Sequence, residues 1–434
     1  MILKTTLLKT VRKMKRIEIG KNKRTPKNDK VIINKNSQVS SPKPCKLIER
    51  IKSIQKKISD LPLLPQILII SIPFAIILGL TAYFSYRIVF DRPDSSSFDM
   101  RLPRGSTTTD KKGITLDDIS NPKNKQNPLN GTLMSSKEYE EMTKYPPIAS
   151  VFGNTPDARP PSGLYKADMA FEVLVEGDIT RIVGMFWSQP IDKLGPIRSA
   201  RKYHIDLIAP YDPLFMHIGY AHSTNNDDTD ALKAINSNRI KSVSNTHWRD
   251  STRPAPYNAY SSTENIHELA DSYNYSYTKN ITPWRFKNDG ILGKRGNKSE
   301  ILISFMGNYT EGKTYDVRWQ YDVDSNSYLR FYGANPHSDS ETEIQIGAKN
   351  LIVQYTTIYT AAGDTSGRKV VTVVGSGEGL LFQDGKQIEI TWEQSSNSSR
   401  AVYKYKSSGE EVEFNRGMVW VSILGNNQGE VIVK

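Results

Sequence analysis

Residues 67–86, ILIISIPFAIILGLTAYFSY, constrain this chain more than any other stretch, because no side chain between Asp60 and Arg87 carries a charge. About 20 consecutive apolar residues are what a helix needs to cross the hydrocarbon core of a bilayer. A buried core helix or a cleaved signal peptide could also use such a run. A signal peptide, however, begins nearer the N-terminus and ends at a small-residue cleavage site, whereas here 60 residues precede the run and Tyr83, Tyr86 and Phe90 follow it. The expectation is an uncleaved transmembrane helix over residues 61–88.

Charge then fixes the orientation. The formal net charge is +12, which would suit a nucleic-acid partner if it were spread over the fold. Residues 1–60 hold 18 Lys and Arg against four acidic residues (Glu18, Asp29, Glu49, Asp60), while the rest of the chain has 40 basic residues against 42 acidic ones. The basicity belongs to the tail, so nucleic acid is not expected as a partner. By the positive-inside rule the tail is cytoplasmic and everything beyond about residue 90 lies outside the membrane. Within the tail, Leu47, Ile51, Ile54 and Ile58 recur at helical steps. Residues 46–59 therefore read either as a basic amphipathic helix lying on anionic lipid or as a solvated charge run that only sets topology. The rest of the tail has the composition of a disordered segment. Cys45 is the only cysteine, so no intrachain disulfide can form and the external part must be held by packing. Its Lys-Pro-Cys-Lys setting does not resemble a lipoprotein cleavage site.

Residues 89–127 are rich in Pro, Ser, Thr, Asp and Lys and read as a flexible stalk. Residues 128–285 mix strand and helix signals, including Ile148 to Phe152, a hairpin around Gly177-Asp178, and helices near residues 196–210, 230–236 and after Ser262 or Thr263. A type II′ turn at Gly177-Asp178 predicts that Glu176 pairs with Ile179, which puts Glu172, Glu176 and Arg181 on one face and Phe171, Val173 and Val175 on the other. Residues 300–434 switch to a period of two between Gly, Asn, Asp and Ser turns. The predicted fold class is α+β: the transmembrane helix, a layered α/β domain with a mixed sheet, and a mainly-β C-terminal domain.

Several spaced motifs carry a resemblance. NPLNG, the NTPDARPPSGL loop at 154–164, AD followed by LVEGDITR, GPIRSAR, NPHSDS and NLIVQ together resemble the YerB-like family of bacterial envelope proteins over roughly residues 127–425. The resemblance implies an α/β layered first domain, a β-rich second domain and no assigned biochemical activity. Many members are similar to lipoproteins held outside the membrane by a lipidated cysteine, and this chain departs from that by carrying a spanning segment. It departs again at APYN (255–258), where relatives often resemble Ala-Pro-His-Asn and Tyr257 removes an imidazole.

The candidate chemistry centres on Arg198, Ser199, Arg201 and Lys202, which the sequence places at the start of a helix opened by Pro196, with Ala200, Tyr203, His204 and Leu207 on one face. Cations at the positive end of a helix dipole are unfavourable unless an anion sits there, or unless they pair with Glu172 or Glu176 or face water. Arg159 and Arg181 could join either arrangement. His337 and Asp339 in NPHSDS could orient a ligand, although an Asx turn explains them as well. Glu172 and Glu176 are candidate catalytic carboxylates, but such residues on a hairpin are also commonly salt-bridged. His217 and His222 lie five apart, as metal ligands or as ordinary packed histidines; no metal and no cofactor are expected. The combined reading is a single-pass cell-membrane protein with a cytoplasmic N-terminus and extracytoplasmic domains. It binds an anionic envelope ligand, such as a phosphorylated glycan, a lipid phosphate or a cell-wall precursor, through its arginines. The alternatives are an envelope hydrolase or transferase using Glu172 or Glu176, or a non-catalytic scaffold.

Overall fold

The computed structural model describes residues 122–434. The expected tail, the amphipathic segment 46–59, the spanning helix and most of the stalk lie outside the described residues. Among the described residues no helix is long and apolar enough to cross a membrane. The fold is α+β with two domains, mostly sheet with few helices, and mainly β in the C-terminal region.

The first domain supplies β1 (Ile148–Gly153), β2 (Met169–Leu174), β3 (Thr180–Phe186), β4 (Leu214–Met216) and β5 (Lys241–Ser242). Every residue of β1, β2 and β3 is buried. Strands with few polar positions belong where both faces of a sheet are covered. The short helix α1 (Ser136–Met142) buries none of its residues; the helices that contribute to the core are α2 (Lys202–Ile208), α3 (Ala231–Ser237) and α4 (Thr263–Ser272). The Ser262 hydroxyl caps α4 by accepting from the Asn265 amide, and the Asp230 carboxylate caps α3 by accepting from Lys233.

The second domain supplies β6 (Glu300–Ser304), β7 (Val317–Asp322), β8 (Ser327–Tyr332), β9 (Asn335–Pro336), β10 (Gly347–Ala348) and β11 (Asn350–Thr356). It continues with β12 (Gly375–Gln383), β13 (Lys386–Gln394), β14 (Val402–Tyr405), β15 (Val419–Gly425) and β16 (Glu430–Val433). Strands β11 to β15 extend the sheet of the first domain. The result is ten strands in the order β14-β13-β12-β11-β15-β2-β3-β1-β4-β5. The join is a parallel pairing in which Val419 lies opposite Met169 and Ile423 opposite Val173. The remaining strands form a second sheet ordered β9-β8-β7-β6-β16, with β10 paired to β8.

Alternation along the strands sorts the core into two layers. Phe171, Val173, Val183, Ile352, Val421 and Ile423 pack with residues of α2 and α3. Ala170, Leu174, Ile182, Leu351, Val353 and Trp420 pack with the second sheet. Trp319 of β7 meets Trp420 of β15 edge to face, with ring centroids 5.2 Å apart.

Two local expectations are corrected. The β2–β3 hairpin closes through a three-residue loop, with Gly177 and Asp178 both in the left-handed region, and the Val175 amide donates to the Ile179 carbonyl. This one-residue change of register pairs Glu172 with Ile182 and Val173 with Arg181. Glu172 and Arg181 therefore project from opposite faces of the sheet. The second correction concerns residues 195–201, which are extended: Phe152 bridges Ile197 and Ala200 bridges Tyr220. Pro196 follows a cis peptide bond there, and α2 starts only at Lys202 with Arg201 as its N-cap. Backbone pairing of this stretch to its neighbours overrides the helix signal of the proline.

Trp420 joins the two sheets, so Trp420→Ala should cost about 3–5 kcal/mol. Urea unfolding of parent and variant checks this, and an unchanged midpoint would contradict the two-layer core.

Candidate functional site

Glu172 of β2 and Arg330 of β8 form an ion pair of 2.7 Å between the two domains, with both side chains 0% exposed. Burying two charges is expensive unless the remaining donors and acceptors are also met. Thr180 donates its hydroxyl to Glu172 Oε1 at 2.9 Å, and Asn154 donates its amide to the same oxygen at 3.2 Å. The Arg330 guanidinium lies 4.8 Å from the Trp420 ring, 4.6 Å from Tyr332 and 5.6 Å from Trp319. Its Nη1 donates to His337 Nδ1. The other ring nitrogen of His337 therefore carries the proton, yet Nε2 has no hydrogen-bond partner. Burial first, then the charges of Arg330 and Arg159, push His337 well below its ordinary value of 6.5, so it is a neutral donor.

Above this pair lies a cleft of about 690 Å³ whose lining includes Arg159, Pro160, Tyr332, His337, Asp339 and Ser340. The loop at 154–159 places Arg159 there. Its guanidinium stacks on Tyr332 at 3.4 Å from the ring centroid, lies 5.5 Å from Tyr315, and donates to the Asn154 side chain and the Thr314 carbonyl. A guanidinium flattened on an aromatic ring keeps an edge available for oxygen acceptors. Asp339 plays a structural part: its carboxylate accepts from the Gly163, Glu341 and Thr342 amides and the Thr342 hydroxyl, closing the turn and fastening it to the first domain.

The other expected residues gather elsewhere. Arg201 makes a bidentate pair with Glu176, both bonds 2.6 Å, on the opposite face of the sheet from Glu172. Burial raises the Glu176 pKa, but the bond and charge of Arg201 outweigh it and hold the carboxyl below its ordinary value. Arg181 is nearly buried and donates to the Ser199 carbonyl at 2.6 Å. Lys202 reaches Asp206 one turn along α2 at 2.9 Å. Arg198 donates to the Pro256 carbonyl and lies 5.2 Å from the ring of Tyr257. Internal pairing thus accounts for Arg201 and Lys202, and the cluster read from the sequence divides into separate groups. Both nitrogens of His217 are bonded, to the Gly219 carbonyl and the Ser242 hydroxyl, while His222 bonds Asp230.

Sequence reasoning missed Arg330, Asn154, Tyr332 and Arg253. Arg253 donates to the Ala158 and Pro160 carbonyls and clasps the loop that carries Arg159. It also missed the role of NPLNG. The side-chain amides of Asn127 and Asn130 donate to Asp168 Oδ1, and the Trp187 and Ser188 amides donate to Oδ2. The available signal for Arg330 was a cation two residues from Tyr328, on the inward face of an alternating strand.

Residues 133–276 match the family described as "Protein of unknown function (DUF3048) N-terminal domain", and residues 307–421 match its C-terminal domain. Over 296 residues the chain is 30% identical to "Putative lipoprotein YerB" of Bacillus subtilis (strain 168), covering 68% of this chain and 86% of that protein. It is also similar to the crystal structure of the YerB protein from Bacillus subtilis, with a TM-score of 0.60 and 29% identity, covering 71% of this chain and 99% of that one.

Arg330→Met leaves the Glu172 carboxylate buried without its cation and should cost about 3–5 kcal/mol, whereas adding Glu172→Gln should return much of the loss. A double-mutant cycle in urea measures this; equal losses in the single and double variants would contradict the pairing. Burial also pushes His204 well below its ordinary value. Unfolding in acid then takes up protons that the folded state refuses at His204 and His337. Stability is fully present above about pH 6.5 and falls as pH drops below it. Replacing both histidines with Gln should flatten the decline of the urea midpoint between about pH 7 and 5.

Proposed function

This chain belongs to the YerB-like family, and on that premise we propose a membrane-anchored envelope protein that binds an anionic envelope ligand in the cleft beside Arg159. The anchoring half of the reading draws on three things. They are the name of the Bacillus subtilis relative, the uncharged run at 67–86, and the concentration of basic residues before it. The chain would cross once, N-terminus in the cytoplasm and both domains outside. The binding half rests on one observation: Arg159 lies flat on Tyr332 at the lip of a cleft whose lining includes His337, a neutral imidazole with an unpartnered Nε2. Arg159 offers a guanidinium edge, which suits a phosphate or carboxylate carried on a glycan or cell-wall precursor, and the buried His337 Nε2 nearby is a donor still without an acceptor.

Of the expected binding residues, Arg159 and His337 carry this reading. Arg181, Arg198, Ser199, Arg201, Lys202 and Asp339 support the fold around it. Glu172 and Glu176 take no part in the reading, since each is committed to an arginine.

Titrating the protein with glycerol-phosphate oligomers and with a muropeptide bearing free carboxylates tests the binding half. Arg159→Ala should weaken the preferred ligand at least tenfold, while Arg198→Ala should leave it nearly unchanged. Equal affinity in Arg159→Ala and parent would remove the reading. For the anchoring half, protease added to intact cells should digest residues beyond about 90 and spare the basic tail; the reverse pattern would overturn the topology.

A further inference from the structure

The loop after the strand Arg285–Lys287 presents two of the most exposed large hydrophobic residues among the described ones, Ile291 at 68% and Leu292 at 61%. Floppiness does not account for this exposure. Both ends of the loop are fastened to the Asp384–Gly385 turn. The Gly290 amide donates to the Asp384 side chain, the Gly296 amide to the Asp384 carbonyl, and the Lys298 amide to the Gly385 carbonyl. Arg295 crosses beneath the tip, donating to the Gly290 and Val323 carbonyls. A side chain at Gly293 would meet nothing within 4 Å, so the tip stands in open space.

The charges around the tip are cationic. Lys294 and Lys298 are exposed, as is Lys386, whose stem lies against Gly296. The nearest acidic groups are largely spent, Asp289 on Lys349 and Asp384 on Lys287, leaving Asp324 exposed beside Val323. An apolar pair rimmed by lysines is the chemistry that inserts at a bilayer surface carrying anionic headgroups.

Position adds an independent argument. The 121 residues outside the described body, including the apolar run at 67–86, join it at Pro122. That entry point packs beside the loop. Gly131 lies against the ring of Phe286, and Arg416 donates both to Gln126 and Gly131 and to Asn288. Ile291 is three residues beyond Asn288, within roughly 10 Å along the chain.

We propose that Ile291 and Leu292, with Lys294, Lys298 and Lys386, form a second contact with the membrane, docking the folded body onto an anionic lipid surface next to its tether. The proposal rests on the anchoring half of the functional reading and is independent of the ligand cleft. It is tested with the full chain, one copy per lipid nanodisc, by amide hydrogen exchange over residues 289–298. In discs containing phosphatidylglycerol these amides should be at least fivefold slower than in phosphatidylcholine discs. The difference should vanish in the Ile291→Asn, Leu292→Asn variant and shrink in Lys294→Glu, Lys298→Glu; all four positions are exposed. Equal exchange in both lipids overturns the proposal. So does protection that appears only with two copies per disc, since the loop would then meet a second chain. A chain that fails to enter the discs overturns the anchoring reading instead. Docking is then read from cosedimentation with phosphatidylglycerol vesicles, where equal recovery of parent and Asn variant overturns it.

Discussion

The Glu172–Arg330 pair is the constraint around which the rest of the structure is arranged. Two charges removed from water demand partners, and apart from Arg330 Nε, which has none, they find them in both domains: Asn154 and Thr180 from the first, His337, Tyr332 and Trp319 from the second. Once Arg330 donates to His337, that imidazole must stay neutral, because a proton on Nδ1 would set two donors against each other. Asn154 is fixed by the carboxylate below it and in turn orients Arg159. The cleft is thus a consequence of how the pair is enclosed. Replacing such a pair with apolar residues often costs a fold little, so its value here lies in specifying how two domains meet and in shaping what stands above it.

Much of this was legible in the sequence. The strands at 148–152, 169–174 and 180–186, the Ser262 cap, the change to period two after residue 300 and the family all follow from local pattern and motif. The losses came where local pattern is indifferent. Gly177-Asp178 supports a two-residue or a three-residue loop equally well, and the extra residue carried Arg181 to the other side of the sheet. Pro196 suits a first helical turn, but the backbone of 195–200 is claimed by bridges to Phe152 and Tyr220, which no neighbour in sequence announces. Arg330 sits in an ordinary alternating strand, and only its partner 158 residues away explains it.

The cation cluster, which the sequence left open to an anion, to internal pairing or to solvent, shows how proximity in sequence misleads. Arg198, Arg201 and Lys202 lie within five residues, yet one is held by a carbonyl and a tyrosine ring, one by Glu176 and one by Asp206. Arg159, more than 35 residues earlier, faces a cleft built largely by the other domain. What joins distant segments here is the sheet, because strand pairing brings side chains together irrespective of their separation along the chain.

That sheet sets an order of events. Strand β15 lies near the C-terminus, yet it fills the slot between β2 and β11. Until residues 419–425 arrive, one edge of the first domain is an open ladder of unpaired amides and carbonyls. Synthesis from the N-terminus delivers that strand late, so the leading domain waits, half finished and vulnerable to misassociation, until residues 419–425 have been made. Neither domain is then an independent module that evolution could trade away, because the closing piece of one is encoded at the far end of the other.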